Sequence, residues 1–255
     1  MNLPPPSAEA SAHSRELVAA VGREIGARGG WIPFARYMEM VLYEPGLGYY
    51  SAGARKFGAA GDFVTAPEMS AFFGRALARQ VAEVMEASQP LLLEAGAGSG
   101  RLAADLLLEL EALGSLPERY AILDLSADLR ERQQAMLAAA APHLLPRVHW
   151  LDRLPEAFSG VVVANELLDA LPAHVVAWRD DGIFERGVGF SETGDLAWFE
   201  RPATGPLLAA AEEIAGQCTL PPGYESEIGL AARAWAAEWG HRLQCGALLL
   251  IDYGF

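Results

Sequence analysis

Apolar positions recur along this chain in two rhythms, and the change from one to the other divides it. Leu17, Val18, Val21 and Ile25 fall at helical spacing between Ser14 and about Arg28, and Gly29-Gly30 ends that run. A second helix is expected over 33–42. Ser70 is placed to cap a third, running to Ala87 with Phe73, Leu77, Val81 and Val84 on one face. From residue 91 onward short apolar runs alternate with helical ones. Strands are expected at 91–93, 120–125, 148–150, 160–164 and 247–251. Helices are expected over 101–113, 128–141, 166–171, 207–215 and 230–243. Val175–Trp178 and Phe184–Phe190 read as an antiparallel insertion turning at Asp180-Asp181-Gly182. Alternating strands and helices predict an α/β fold, a mostly parallel sheet with helices on both faces. The expected organisation is a tail over 1–13, an N-terminal helical extension over 14–88, and a Rossmann-like core over 89–255 with an insertion at about 173–225. Residues 43–69 are dense in glycine, proline and aromatics and lack a period. A long irregular segment of this kind is usually functional, and a lid is the expectation.

Composition narrows the classes. Of 255 residues, 52% are hydrophobic and 20% charged, which supports a real core and argues against disorder. A net charge of −14 repels phosphate backbones, so no direct nucleic-acid partner is expected. Cys218 and Cys245 lack metal-ligand spacing and read as reduced thiols, and no metal site is expected. No apolar run reaches the roughly 18–20 residues of a membrane span. Glu9 and Glu16, among few basic residues, weigh against a transit peptide, so the expected location is cytoplasmic.

The chemistry concentrates in Leu91-Leu92-Leu93-Glu94-Ala95-Gly96-Ala97-Gly98-Ser99-Gly100-Arg101-Leu102. A buried strand, a glycine turn and a helix N-terminus bring backbone N–H groups close to a nucleotide-like ligand. The dinucleotide pattern G-x-G-x-x-G would need glycine at Arg101. The pattern E-x-G-x-G-x-G is that of S-adenosylmethionine (SAM) sites in Rossmann-like methyltransferases. Another nucleotide, or a turn needing glycine for geometry alone, are the alternatives. On the SAM reading Gly96, Gly98 and Gly100 pass under the methionine moiety and Glu94 accepts from its ammonium, directly or through water.

Further candidates lie at strand ends. Asp124 follows Ile122-Leu123, where ribose hydroxyls are gripped; capping of the next helix is the alternative, for which Ser126 is better placed. Asp152 stands where an acid meets the adenine amino group, with Trp150 beside the base; a plain loop acid and a core tryptophan fit equally well. The strand 161–164 delivers Asn165 and Glu166 to the carboxyl edge, with Asp169 nearby, against the alternative of a helix cap and first-turn acids. The segment 61–68 adds Asp62 and Glu68. No Ser-His-Asp, zinc or P-loop pattern is present in the sequence.

Together these segments resemble the MidA-type SAM-dependent methyltransferases. The resemblance runs from about Ile25 to Phe255. It rests on Arg28-Gly29-Gly30 with Pro33 to Met38, Gly48-Tyr49-Tyr50, Gly61 to Glu68, Glu94 to Leu102, Ala164-Asn165-Glu166 with Asp169 to Pro172, and Asp252-Tyr253-Gly254. Asp124-Leu125-Ser126 stands where the family usually has glutamate, valine and serine, and Glu227 falls near another family glutamate. The resemblance implies a class I methyltransferase fold with SAM as cofactor. It implies Gly61, Asp62, Glu94, the three glycines, Asp124, Leu125, Asp152 and Asn165 around the cofactor, and Asn165, Glu166, Asp169 and Glu68 at the acceptor. The implied acceptor is a protein arginine, symmetrically dimethylated, and the implied protein is a respiratory complex subunit. A small-molecule or other protein methyltransferase, a non-catalytic assembly or scaffold protein and an inactive truncated remnant are the alternatives, and a homodimer is compatible with the pattern. The family continues past its Asp-Tyr-Gly segment, so closing C-terminal strands are expected to be missing here.

Overall fold

A computed structural model describes residues 6–51, 65–124 and 126–253. In chain order the helices are α1 (Ala8–Ala27), α2 (Phe34–Tyr43), α3 (Ala66–Met69), α4 (Ala71–Ala87), α5 (Arg101–Ala112), α6 (Ala127–Ala140), α7 (Gly205–Gln217) and α8 (Leu230–Arg242). The strands are β1 (Trp31–Pro33), β2 (Leu91–Ala95), β3 (Arg119–Leu123), β4 (Val148–Leu151), β5 (Phe158–Asn165), β6 (His174–Arg179), β7 (Gly182–Phe190), β8 (Leu196–Pro202), β9 (Glu225–Ile228) and β10 (Leu243–Ile251). Two compact units result, Met1–Ala52 with Leu171–Ala234 and Gly53–Ala170 with Trp235–Phe255.

The second unit carries a parallel sheet in the order β10-β5-β2-β3-β4. Its central strands β2 and β5 are largely apolar on both faces because both faces are covered. Leu92, Val161 and Val163 point into one core with Ala78 and Val81 of α4, Leu102, Leu106 and Leu110 of α5, and Leu137 of α6. Leu93, Ala95, Val162 and Ala164 point into the other, against Trp235 and Trp239 of α8. Each such leucine or valine, fully buried, contributes roughly 1.5–3 kcal/mol. From β2 the chain builds outward through β3 and β4, then returns to the other side of β2 as β5. The turnover between β2 and β5 is the topological switch point, where sheets of this kind hold ligands at the carboxyl ends of their strands.

The first unit is an antiparallel sheet, β1-β7-β6-β9 with β8 also on β7. Trp31↔Gly189 through Pro33↔Gly187 join β1 to β7, so the N-terminal segment and the insertion fold together. The hairpin at 180–182 forms as the sequence suggests, with Arg179↔Gly182 closing it.

Several boundaries differ from the sequence expectation for visible reasons. Helix α1 begins at Ala8, inside the expected tail, because Ser7 caps it by accepting from the Ala10 N–H at 3.0 Å. The helix expected over 166–171 does not form. Glu166 instead adopts φ +49°, the one positive-φ non-glycine among the described residues, and Pro172 removes a backbone donor further on. Of the segment expected as a lid, 43–51 turns back on α2, with Tyr49 and Tyr50 N–H donating to the Val41 and Leu42 carbonyls at 2.8 Å, and 65–69 forms α3 and its cap. The remainder lies outside the described residues.

Candidate functional site

The glycine turn after β2 is set by backbone conformation. Gly96, Gly98 and Gly100 have φ of +73°, +53° and +85°, a region that costs side-chain-bearing residues dearly. Gly96 donates to the Leu123 carbonyl at 3.0 Å, tying the turn to β3. A Cβ at Gly96 would meet Leu167 Cδ1 at 2.9 Å, and one at Gly100 would meet Gln133 Cα at 2.9 Å. Gly100 then caps α5, whose first free N–H groups open toward the turn.

Below the turn, Glu94 is buried, and Tyr120 donates its hydroxyl to Glu94 Oε2 at 2.6 Å. Burial pushes the Glu94 carboxyl up to about 7, the Tyr120 bond pulling it down and the Asp124 charge pushing it further up. Asp124 directly follows β3 and is also buried. Its Oδ1 accepts from the Ser126 N–H at 3.0 Å and its Oδ2 from Gln133 Nε2 at 2.8 Å. Ser126 rather than Asp124 caps α6, accepting from the Leu129 N–H at 3.3 Å. Arg130 bridges the ends of β3 and β4, donating to the Asp124 carbonyl at 2.8 Å and to Asp152 Oδ1 at 2.7 Å. Asp152 is largely exposed, and the Trp150 indole N–H donates to Gln133 Oε1 at 2.9 Å.

A second set of groups gathers at the carboxyl ends of β5 and β10. Glu166 N–H donates to the Ile251 carbonyl at 2.8 Å, which fixes the turn out of β5. The Glu166 carboxylate accepts from the Ala66 N–H and from Asn165. Its pKa is nevertheless raised, by partial burial first and then by the Asp169 charge. Asp169 is raised as well, by burial and by Asp252, against a hydrogen bond from the Tyr253 hydroxyl. Asp252 Oδ2 accepts from the Leu168 and Asp169 N–H groups, each at 3.2 Å. The helix α3 ties this cluster to the glycine turn: Ala66 reaches Glu166, and Glu68 accepts from the Ser99 hydroxyl.

The structure thus brings Glu94, the three glycines, Asp124 and Glu68 to one side of the switch point, and Asn165, Glu166 and Asp169 to the other. Asp152 is carried at the end of β4 by Arg130. Gly61, Asp62 and Leu125 lie outside the described residues. Sequence reasoning missed Gln133, Tyr120, Arg130 and Ser99. Gln133 had a signal: it lies four residues before Leu137, so a polar side chain occupies the buried face of α6. The exposed thiols of Cys218 and Cys245 are unpaired.

A family model described as "Putative S-adenosyl-L-methionine-dependent methyltransferase" matches residues 76–255. The chain belongs to this methyltransferase family. A Burkholderia thailandensis protein crystallised with S-adenosyl-homocysteine bound superposes with a TM-score of 0.92 at 48% identity, over 100% of this chain and 66% of that one. The protein arginine methyltransferase NDUFAF7 of Danio rerio, named mitochondrial, is 29% identical over 280 residues, 97% of this chain and 64% of its own. The Caenorhabditis elegans NDUFAF7 homolog, also named mitochondrial, is 28% identical over 195 residues, 67% of this chain and 46% of its own. The chain therefore spans about half to two thirds of the length of these curated relatives. Their names contradict the cytoplasmic expectation, which rested on the cysteines read as reduced thiols, the lack of a signal-like pattern and the acids Glu9 and Glu16.

The family's cofactor is SAM, and the turn fits it. Three positive-φ glycines at alternate positions line the turn at the switch point, and the N-terminus of α5 presents its first-turn N–H groups there to a carboxylate. Asp124 directly follows the neighbouring strand with a carboxylate, whose roughly four acceptor positions suffice for protein donors and ligand hydroxyls together.

Proposed function

We propose that this chain is a SAM-dependent N-methyltransferase whose acceptor is an arginine side chain of a protein. The observation that carries this reading is the acidic group at the carboxyl ends of β5 and β10. Asp169 and Asp252 are held close enough to Glu166 to raise its pKa, and Asp252 raises that of Asp169, beside the glycine turn. Such a group suits a planar cation with several N–H donors. The names of the NDUFAF7 relatives support a protein arginine as acceptor.

In this reading Gly96, Gly98, Gly100, Glu94 and Asp124 hold the cofactor, with Asp152 and Trp150 toward its base and Asn165 between cofactor and acceptor. Bound SAM supplies an electrophilic sulfonium methyl. The chain's own work is on the acceptor. A guanidinium is protonated at any physiological pH and its nitrogens are poor nucleophiles, so a proton must leave as the N–C bond forms. Glu166 receives that proton, and its raised pKa makes it a stronger base than an ordinary carboxylate. Asp169 and Glu68 orient the guanidinium, and Asn165 presents its amide oxygen to the reacting nitrogen.

The test is transfer of isotope-labelled methyl from SAM to arginine-containing protein fractions, followed by mass spectrometry of the labelled residue. Symmetric dimethylarginine in the wild type, reduced by about 10²- to 10⁴-fold in Glu166→Gln with S-adenosyl-homocysteine affinity retained, is expected. The rate should rise with pH along a limb above the ordinary carboxylate range. Label on lysine, on a carboxylate or on a small molecule would overturn the arginine assignment.

A further inference from the structure

Gln133 is an anomaly of the parallel-sheet unit. It is a neutral polar side chain with no exposed surface, on a helix whose other buried side chain is Leu137. A polar side chain in such a place costs stability unless its donors and acceptor are all used. They are. Gln133 Nε2 donates to the Gly98 carbonyl at 3.2 Å and to Asp124 Oδ2 at 2.8 Å, and Oε1 accepts from Trp150 Nε1 at 2.9 Å. The orientation of the amide follows from its partners: the indole N–H can only donate and a carboxylate can only accept. No other order satisfies all three.

These three partners come from three different segments of the switch-point crevice: the glycine turn after β2, the end of β3 and the strand β4. We propose that Gln133 is the positioning residue of the cofactor site. It fixes the Gly98 carbonyl, the Asp124 carboxylate and the Trp150 ring relative to one another before any ligand arrives. The inference rests on the reading of this crevice as the cofactor site. Gly100 is part of the same fitting, since a Cβ there would strike Gln133 Cα and push α6 off the turn. A ligand that met a carboxylate free to rotate would have to order it on binding, and the preset orientation removes that cost. Gln133 itself is placed behind these groups and acts through them.

Calorimetric titration with S-adenosyl-homocysteine tests this, using the full chain as wild type, Gln133→Leu and Gln133→Glu from about pH 5.5 to about pH 8. Loss of the hydrogen bonds in Gln133→Leu should weaken binding on the order of 10- to 100-fold. Gln133→Glu gives a signature that a purely structural role lacks. Near pH 8 it sets a second carboxylate against Asp124, and affinity falls. Toward pH 5.5 a proton shared between the two replaces the amide N–H, and affinity recovers relative to wild type at the same pH. The other charged groups nearby are Glu94, which interacts with Asp124, and Arg130 with its partner Asp152. The ratio to wild type removes the part of their titration that the two proteins share. If Gln133→Leu does not fold, the pH-dependent recovery in Gln133→Glu decides the matter. Wild-type affinity in both variants at every pH overturns the positioning role. So does a lowered melting temperature with unchanged affinity. No binding to folded wild type overturns instead the cofactor-site reading beneath it.

Discussion

Tyr120 donates its hydroxyl to Glu94 at 2.6 Å from the neighbouring strand, with both side chains fully buried. The register places Leu92 opposite Tyr120, so Glu94 sits one pleat further along the same face, nearer the glycine turn. Tyr120 is driven well above its ordinary value by burial and by the carboxylate, so it remains the donor throughout. The carboxyl of Glu94, raised to about 7, is the member that titrates.

That pair makes stability depend on pH in a definite direction. The folded state holds Glu94's proton up to about pH 7, whereas the unfolded chain releases it near 4.5. Between those values the folded state binds more protons, so stability falls as pH rises. Denaturant unfolding at about pH 5 and about pH 8 should give Glu94→Gln a shallower fall than wild type, by roughly 1–3 kcal/mol. Parallel curves for the two proteins would show that Glu94 is ionised across the range.

Asp252 organises the turn that replaces the expected helix after β5, accepting from two consecutive backbone N–H groups. It also raises Asp169 through its charge. Asp252→Asn keeps an acceptor and removes the charge, so Asp169 should titrate lower while the turn survives. Asp252→Ala should destabilise by no more than about 1 kcal/mol, because the site is solvent-accessible. Carbon-detected titration of the Asp169 carboxyl in both variants checks this, and an unchanged midpoint in Asp252→Asn would remove Asp252 from the cluster's electrostatics.

How much of this was legible in advance follows the range of the interactions. The strand-turn-helix at 91–102 could be read directly, because glycine spacing and the apolar run are local and α5 starts at Arg101 as expected. Asp124 could be placed at a strand end for the same reason. The functions assigned to it and to Glu166 rest on resemblance and on position in the sheet. Arg130 was invisible as a site residue, and Gln133 was legible only as a polar side chain on a buried helix face, because their importance lies in partners 6–22 and 9–35 residues away. The helix wrongly expected over 166–171 shows the opposite failure. Its local pattern is helical, but Glu166 is bonded to Ile251 and the following N–H groups to Asp252, more than eighty residues on. The strands β1, β8 and β9 were likewise missed, since each is defined by its pairing within the antiparallel unit.

The pairing of β1 with β7 is exposed to a single substitution. Gly187 lies opposite Pro33, and a Cβ there would run into the Ile32 carbonyl and into the Trp31 ring at 2.5 Å. The ring cannot swing away freely, because the Arg201 guanidinium stacks on it with its carbon 4.7 Å from the centroid. Gly187→Ala must therefore push β1 off the sheet, and Ile32, fully buried in the small core with Val21, Ile25 and Val188, moves with it. Overpacking of this kind costs about 1–3 kcal/mol. The loss should be local: amide exchange at 31–33 and 187–189 should accelerate, while β2 and β5 of the parallel sheet stay protected. Retention of wild-type protection at 31–33 would mean that β1 does not approach β7 this closely. Uniform acceleration across both sheets would mean that the two units unfold as one.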